Sequence, residues 1–161
     1  MLHTIKVIRY NPRSKCSELW NTEWFQIQKK PLHILEDYCS NYGLSVAGSQ
    51  NAIRKQLQIV HKVPILVHPL LQCYFIPTMS PSNPACIFLN AHRIKHTKAV
   101  ACDTEIIFDD KTCLVVQLGH RAIKKQIERA KTMATHIQVQ YRLDHLSLES
   151  SLNIGIMKML S

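Results

Sequence analysis

Apolar and polar positions alternate at the start of the chain. Leu2, Thr4 with Ile5, and Val7 with Ile8 predict a strand over Leu2–Arg9, which Asn11, Pro12, Arg13 and Ser14 then break. The run Glu23 to Gln28 is rich in aromatic and β-branched residues and predicts a second strand. Two short apolar runs, 64–67 and 73–76, predict a hairpin joined by five residues, His68 to Gln72. Cys86 to Ile94 reads as a further strand. Thr104 to Phe108 and Thr112 to Leu118 make another hairpin, with Asp109, Asp110 and Lys111 as its turn.

Helical spacing appears in three places. Pro31 suits a first helical turn, Leu32, Leu35, Cys39 and Tyr42 follow at helical intervals, and Gly43 supplies a left-handed end. Ser49 reads as the N-cap of a second helix, Gln50 to about Val60, with Ile53, Leu57 and Val60 on its apolar face. A longer helix is predicted from His120 to Tyr141, where Ile123, Ile127, Ala130, Ala134, Ile137 and Tyr141 form one stripe. Its other faces carry Arg121, Lys124, Lys125, Arg129, Lys131 and Arg142 against the single acid Glu128. Residues 143–161 are expected to be a tail, in which the apolar run Leu152 to Leu160 could form a short docking helix. Together these elements predict an α+β domain over 1–142: a mainly antiparallel sheet with hairpins, two shorter helices and one long C-terminal basic amphipathic helix.

Composition then narrows the function. The 161 residues are 46% apolar, with four glycines and seven prolines, which excludes disordered and collagen-like classes. Twenty Lys plus Arg against eleven Asp plus Glu give a formal charge of +9, an excess that favours polyanionic partners. The opening residues lack a secretory pattern, and the apolar region Val63 to Pro77 is too interrupted to span a bilayer. A cytoplasmic chain with free thiols at its six scattered cysteines is therefore expected, with no membrane contact.

A family resemblance enters on an ordered set of short blocks. These are Lys30-Pro31-Leu32, Tyr42-Gly43 with Ser45 and Ala47-Gly48, and His61-Lys62 with Pro64-Ile65 and Val67. Phe75, Pro77-Thr78, Ser80-Pro81, Asn83-Pro84 with Cys86, and Asp103-Thr104-Glu105 complete the series. In this order and near this spacing, the chain resembles the ComK-type competence transcription factors from residue 29 to about 136. The resemblance implies a DNA-binding activator of DNA-uptake genes, oligomeric, acting on AT-rich boxes through the minor groove. RNA polymerase and an adaptor of the Clp protease are the protein partners it implies. The chain departs from the family pattern at Ser49, where a basic residue is common, at Ile87-Phe88, where Trp commonly follows the cysteine, and in a shorter carboxyl end.

Cations are the candidate DNA ligands. Lysine and arginine that neutralise phosphates release condensed counterions, and Arg54, Lys55, Lys62, Lys124, Lys125 and Arg129 are placed to do so on helices or beside them. Arg93, Lys95 and Lys98 lie on or just after a predicted strand, where they could enter a minor groove or serve only solubility. The loop Pro77 to Pro84 is either a rigid crossover or a minor-groove loop with Met79 as its wedge. Two other classes stay open at this point. His92 with His96 is the one neat metal-ligand spacing but has no close cysteine pair beside it, and Cys73 or Cys86 with His61 or His92 would be needed for a nucleophile. The expectation is no enzyme, no metal and no cofactor. The alternative to an activator is a divergent relative that regulates a full-length family member by protein contact.

Overall fold

Neighbouring residues on the central strands turn to opposite sides of one sheet, and both sides are buried. Val7, Leu66, Tyr74 and Leu89 enter one core cluster, while their chain neighbours Ile8, Ile65, Phe75 and Phe88 enter the other. That explains why these stretches read as continuous apolar runs: a strand covered on both faces has no solvated side to mark with polar residues.

The structure, a computed structural model, describes residues 1–160. A 3-10 turn, Leu2–Thr4, precedes β1 (Val7–Asn11), β2 (Cys16–Trp20), β3 (Trp24–Ile27), α1 (Pro31–Ser40) and α2 (Val46–Leu57). Then come β4 (Ile65–His68), β5 (Cys73–Pro77), β6 (Ile87–Asn90), a 3-10 turn Ala91–Arg93, β7 (Ile94–Val100), β8 (Asp103–Phe108), β9 (Cys113–Val116) and α3 (His120–Leu160). The first six strands form one sheet in the order β3-β2-β1-β6-β5-β4, and the last three form a second, β7-β8-β9. Every pairing is antiparallel. Helix α1 supplies Ile34, Leu35 and Cys39 to one face of the large sheet; α2, α3 and the small sheet cover the other through Ile53, Ile106, Phe108, Ile123, Ile127 and Met133. The α+β class with hairpins and a long last helix stands.

Several element boundaries differ from the sequence reading, each for a local reason. The expected strand Leu2–Arg9 is a 3-10 turn followed by β1, and its partner β2 is an element that the pattern did not reveal. The β1–β2 turn hides because it uses no glycine: the Asn11 side chain accepts from the Arg13 and Ser14 amides, and Lys15 takes the left-handed conformation at φ 53°. Helix α2 begins a turn earlier than expected. Ser45 is its cap, accepting from the Gly48 amide at 2.9 Å, and Gln58 ends it at φ 53°, so Val60 lies outside the helix and is exposed.

The expected strand Cys86–Ile94 is two strands of different sheets. Asn90 divides them: its buried amide donates to the Ile5 carbonyl at 2.9 Å while its oxygen accepts from the His92 amide, which turns the chain from one sheet toward the other. Helix α3 does not stop at Tyr141 but continues through the expected tail to Leu160.

Candidate nucleic-acid interface

Helix α3 opens with its cations on the wrong end for its own stability. Arg121, Lys124 and Lys125 fall within its first two turns and the first turn contains no acid. The aligned peptide dipoles make a helix N-terminus positive, and a cation there costs a few tenths to about 1 kcal/mol. The stripe Ile123, Ile127 and Ala130 packs α3 onto the core, which forces the intervening positions outward.

Strand β7 faces this end of α3. Its Thr97 hydroxyl and the His120 Nε2 are hydrogen-bonded at 2.9 Å, joining the middle of the strand to the start of the helix. Between them runs a groove of about 290 Å³ bordered by Lys95, Thr97, Lys124, Glu128 and Lys131. It adjoins a wider hollow of about 570 Å³ along the helix, bordered by His120, Arg121, Lys124, Lys125 and Glu128. Lys124 and Glu128 belong to both. Cations from two elements distant in sequence thus border two hollows that share Lys124 and Glu128, opposed by a single carboxylate.

The other candidate cations are placed differently. In the β7–β8 register Thr97 stands opposite the buried Ile106, whereas Lys98 stands opposite Glu105 and so shares the outer side of the small sheet. Arg93 is engaged inside the fold. Its guanidinium donates to both Asp109 oxygens at 2.7 and 2.8 Å and to the Thr4 carbonyl at 2.8 Å. Arg129 is half-buried on α3. On α2, Arg54 donates to Asn51 and Lys55 is exposed, while Lys62 is half-buried beyond the helix with its charge close enough to act on the Cys86 thiol. Among the described residues, Lys55, Lys62, Lys95, Lys98, Lys124, Lys125 and Arg129 form no ion pair. Of the cations the sequence nominated, the groove joins Lys95 to Lys124 and leaves the 54–62 stretch outside, and it adds Arg121, Lys131, His120 and Thr97. Helical spacing of 121, 124, 125, 128 and 131 was the available signal for the α3 members, and nothing in the sequence announced the opposing strand.

Ser49, a departure from the family pattern, is buried in α2. Its hydroxyl accepts from the Leu66 amide at 2.7 Å, tying the helix to β4. The position is a packing contact rather than a surface vacancy for a cation.

Among the described residues no hydrogen bond joins a cysteine to an imidazole. All six cysteines are free; burial pushes the Cys39 thiol up to about 11 and Cys73 up to about 12, and raises Cys86, opposite to what an activated nucleophile requires. His92 lies on the 3-10 turn and His96 beyond a register shift on β7, and among the described residues no three His, Cys, Asp or Glu side chains are grouped to hold a metal. Among the same residues no helix is long and apolar enough to cross a membrane.

Comparison with known proteins agrees with the resemblance. The Bacillus subtilis (strain 168) protein "Competence transcription factor" is 30% identical over 122 residues, which are 75% of this chain and 62% of that relative. The chain therefore spans under two thirds of the length of the curated relative it matches. No solved structure matches it. The family model described as ComK protein matches residues 4–142, from just ahead of β1 to well inside α3, and on that extent the chain belongs to the ComK family.

Proposed function

We propose that the protein is a sequence-preferring, non-enzymatic DNA-binding activator of competence genes, and that the groove between β7 and the start of α3 is its phosphate-binding surface. The carrying observation is the crowding of Arg121, Lys124 and Lys125 at a helix N-terminus opposite Lys95. Fold stability gives no reason to place cations there, whereas a phosphate oxygen meets positive side chains and free helix amides together. Lys95, Lys124, Lys125 and Lys131 position the duplex, and residues of β7 supply groove contacts on AT-rich boxes from the minor-groove side. Arg54, Lys55, Lys62, Lys98 and Arg129 are secondary phosphate contacts, and Arg93 keeps its place as a tie between the 3-10 turn ahead of β7 and the turn after β8. The activator works as an oligomer in the cytoplasm, with RNA polymerase and a Clp-protease adaptor as protein partners. Residues 1–142 form the DNA-binding domain and 143–161 the segment available to partners.

A mobility-shift titration on short AT-rich duplexes between 50 and 200 mM salt tests this. Binding should weaken by orders of magnitude over that range, and the double variant Lys124→Ala, Lys125→Ala should reduce the slope of log affinity against log salt by about 2. An affinity indifferent to salt overturns the reading. A second reading, regulation of a full-length family member by protein contact, is favoured by the exposed Leu146, Leu152, Ile154, Ile156 and Leu160 on the far part of α3. Protein that ignores duplex DNA yet changes size on mixing with a full-length relative would establish it.

A further inference from the structure

Helix α3 outruns the body that seats it. Among the described residues the core takes no member of α3 after Ile137, yet the helix continues to Leu160. The stripe that seats it up to Ile137 goes on at helical spacing through Tyr141, Leu148, Leu152, Ile156 and Met159, which are 51–89% exposed. At the foot of this free part stands the loop between β4 and β5. Its Pro69 borders a hollow together with Tyr141 and Asp144, and its Leu70 and Leu71 are 66% and 43% exposed. An apolar line and an apolar loop thus meet at one corner, both open.

Charge decides the occupant. Residues 1–142 carry 19 of the 20 Lys and Arg and nine of the 11 acids, a formal +10, whereas residues 143–160 hold only Asp144, Glu149 and Lys158. Neither a polyanion nor an anionic lipid surface is drawn to a segment so poor in cations. A second copy laid parallel would set two strongly basic bodies side by side and align Asp144 and Glu149 with their own kind. Laid antiparallel, with 143–160 of the two helices overlapping, it puts the acidic end of each segment beside the Lys158 end of the other. The bodies then stand roughly 60–70 Å apart at 1.5 Å per residue, far beyond the reach of screened charge, about 10 Å. The same arrangement brings the tip of each helix, with Met159, to the Leu70–Leu71 loop of the other copy. Five stripe residues and two loop residues from each copy, at about 60–120 Å² each, bury on the order of 1,200 Å², the lower end for a specific interface.

We infer that residues 143–160 form an antiparallel seam with a second copy of this chain, the tip of each α3 seated on the β4–β5 loop of the other. Leu148, Leu152 and Ile156 make the middle of the seam, and the flexible Met159 fills the corner beside Leu70 and Leu71. The contact is isologous, so it closes as a pair and leaves the β7–α3 groove of each copy open at the far end of its helix. That this pair is the oligomer of the activator rests on the function proposed above; the seam itself does not.

Light scattering and small-angle X-ray scattering on the full chain at tens of micromolar, without DNA, test the seam. The mass should be twice the 18.5 kDa of the chain, and the pair-distance distribution should have a second maximum near about 60–70 Å, the separation of the two bodies. Leu148→Ala with Leu152→Ala puts helix-favouring residues on an exposed surface, so the body should melt at the native temperature while the dissociation constant of the pair rises about a hundred-fold. Leu70→Ala with Leu71→Ala, outside α3, should raise it about ten-fold. A monomer at these concentrations, a dimer with a single compact distance maximum, or a dissociation constant unchanged in both variants overturns the seam. A monomer that pairs only with a full-length relative also overturns it and establishes the reading of a regulator. An extended dimer that ignores duplex DNA defeats the DNA reading and leaves the seam standing.

Discussion

The Nζ of Lys6 lies 2.7 Å from the Asp110 carboxylate, across 104 residues of chain and between the two sheets. Lys6 is fully buried, directly ahead of β1, and Asp110 is in the β8–β9 turn. The ammonium also donates to the Thr112 hydroxyl at 2.8 Å and lies 4.0 Å from the centre of the Trp20 ring. A buried cation with a carboxylate, a hydroxyl and an aromatic face has its solvation replaced by specific partners, and only one stacking of the small sheet on the large one supplies them.

Removing the carboxylate should therefore cost more than removing the cation. Asp110→Ala leaves a charge in the core and should destabilise the protein by about 2–3 kcal/mol, the lower end for a buried pair because Asp110 is partly exposed. Lys6→Met keeps the volume without the charge and should cost less. Urea unfolding followed by tryptophan fluorescence checks the order, since Trp20 is stacked on Trp24 beside this pair. Equal losses would show that the charge is solvated through some other path.

The same pair sets an acid limit. Hydrogen bonds from Lys6 and Thr112 hold the Asp110 carboxyl well below the usual carboxylate range. A carboxyl whose folded pKa is depressed contributes stability that is complete above its unfolded value, about 3.9, and is lost as pH falls below it. Unfolding free energy should thus drop between about pH 4 and pH 2 in the native chain and drop less in Asp110→Asn. A parallel pH dependence for the two proteins would remove Asp110 as the cause.

At Ser49, Ala and Lys substitutions should separate packing from charge. Ser49→Ala orphans the Leu66 amide and should cost about 1–2 kcal/mol. Ser49→Lys must place an ammonium at a buried position and should lower the melting temperature further, without strengthening DNA binding at equal folded concentration. Gain of affinity with intact stability would show that this part of α2 meets DNA.

Thiol accessibility should divide the cysteines four to two. Cys102 and Cys113 are exposed, whereas Cys16, Cys39, Cys73 and Cys86 are buried. A disulfide-exchange dye at pH 8 should label two thiols quickly in native protein and six in denaturant. Rapid native labelling of Cys86 would contradict the burial that raises its pKa.

Legibility followed the range of the determining interaction. Helix α1, with Pro31 at its start and Gly43 at φ 70° just after it, was readable because both signals are local. So was the β8–β9 hairpin around Asp109 and Asp110. The β1–β2 and β7–β8 hairpins were not, since Lys15 and Ala101 occupy left-handed positions that glycine or asparagine normally advertise. Nor does the position of Lys6 between Ile5 and Val7 announce Asp110, because a pattern records polarity and not partners.

By itself the sequence determined the class of the fold, the family, the surplus of positive charge and the helical stripe that seats α3, all carried by residues near one another along the chain. Only the tertiary structure decided which cations act together. Lys95 and Lys124 border one groove because Thr97 and His120 join β7 to α3, while Lys98, three residues on, turns to the other side of its strand. Charge adds over distances in space of a few ångströms, and chain separation carries no information about those distances until the sheets and helices have packed.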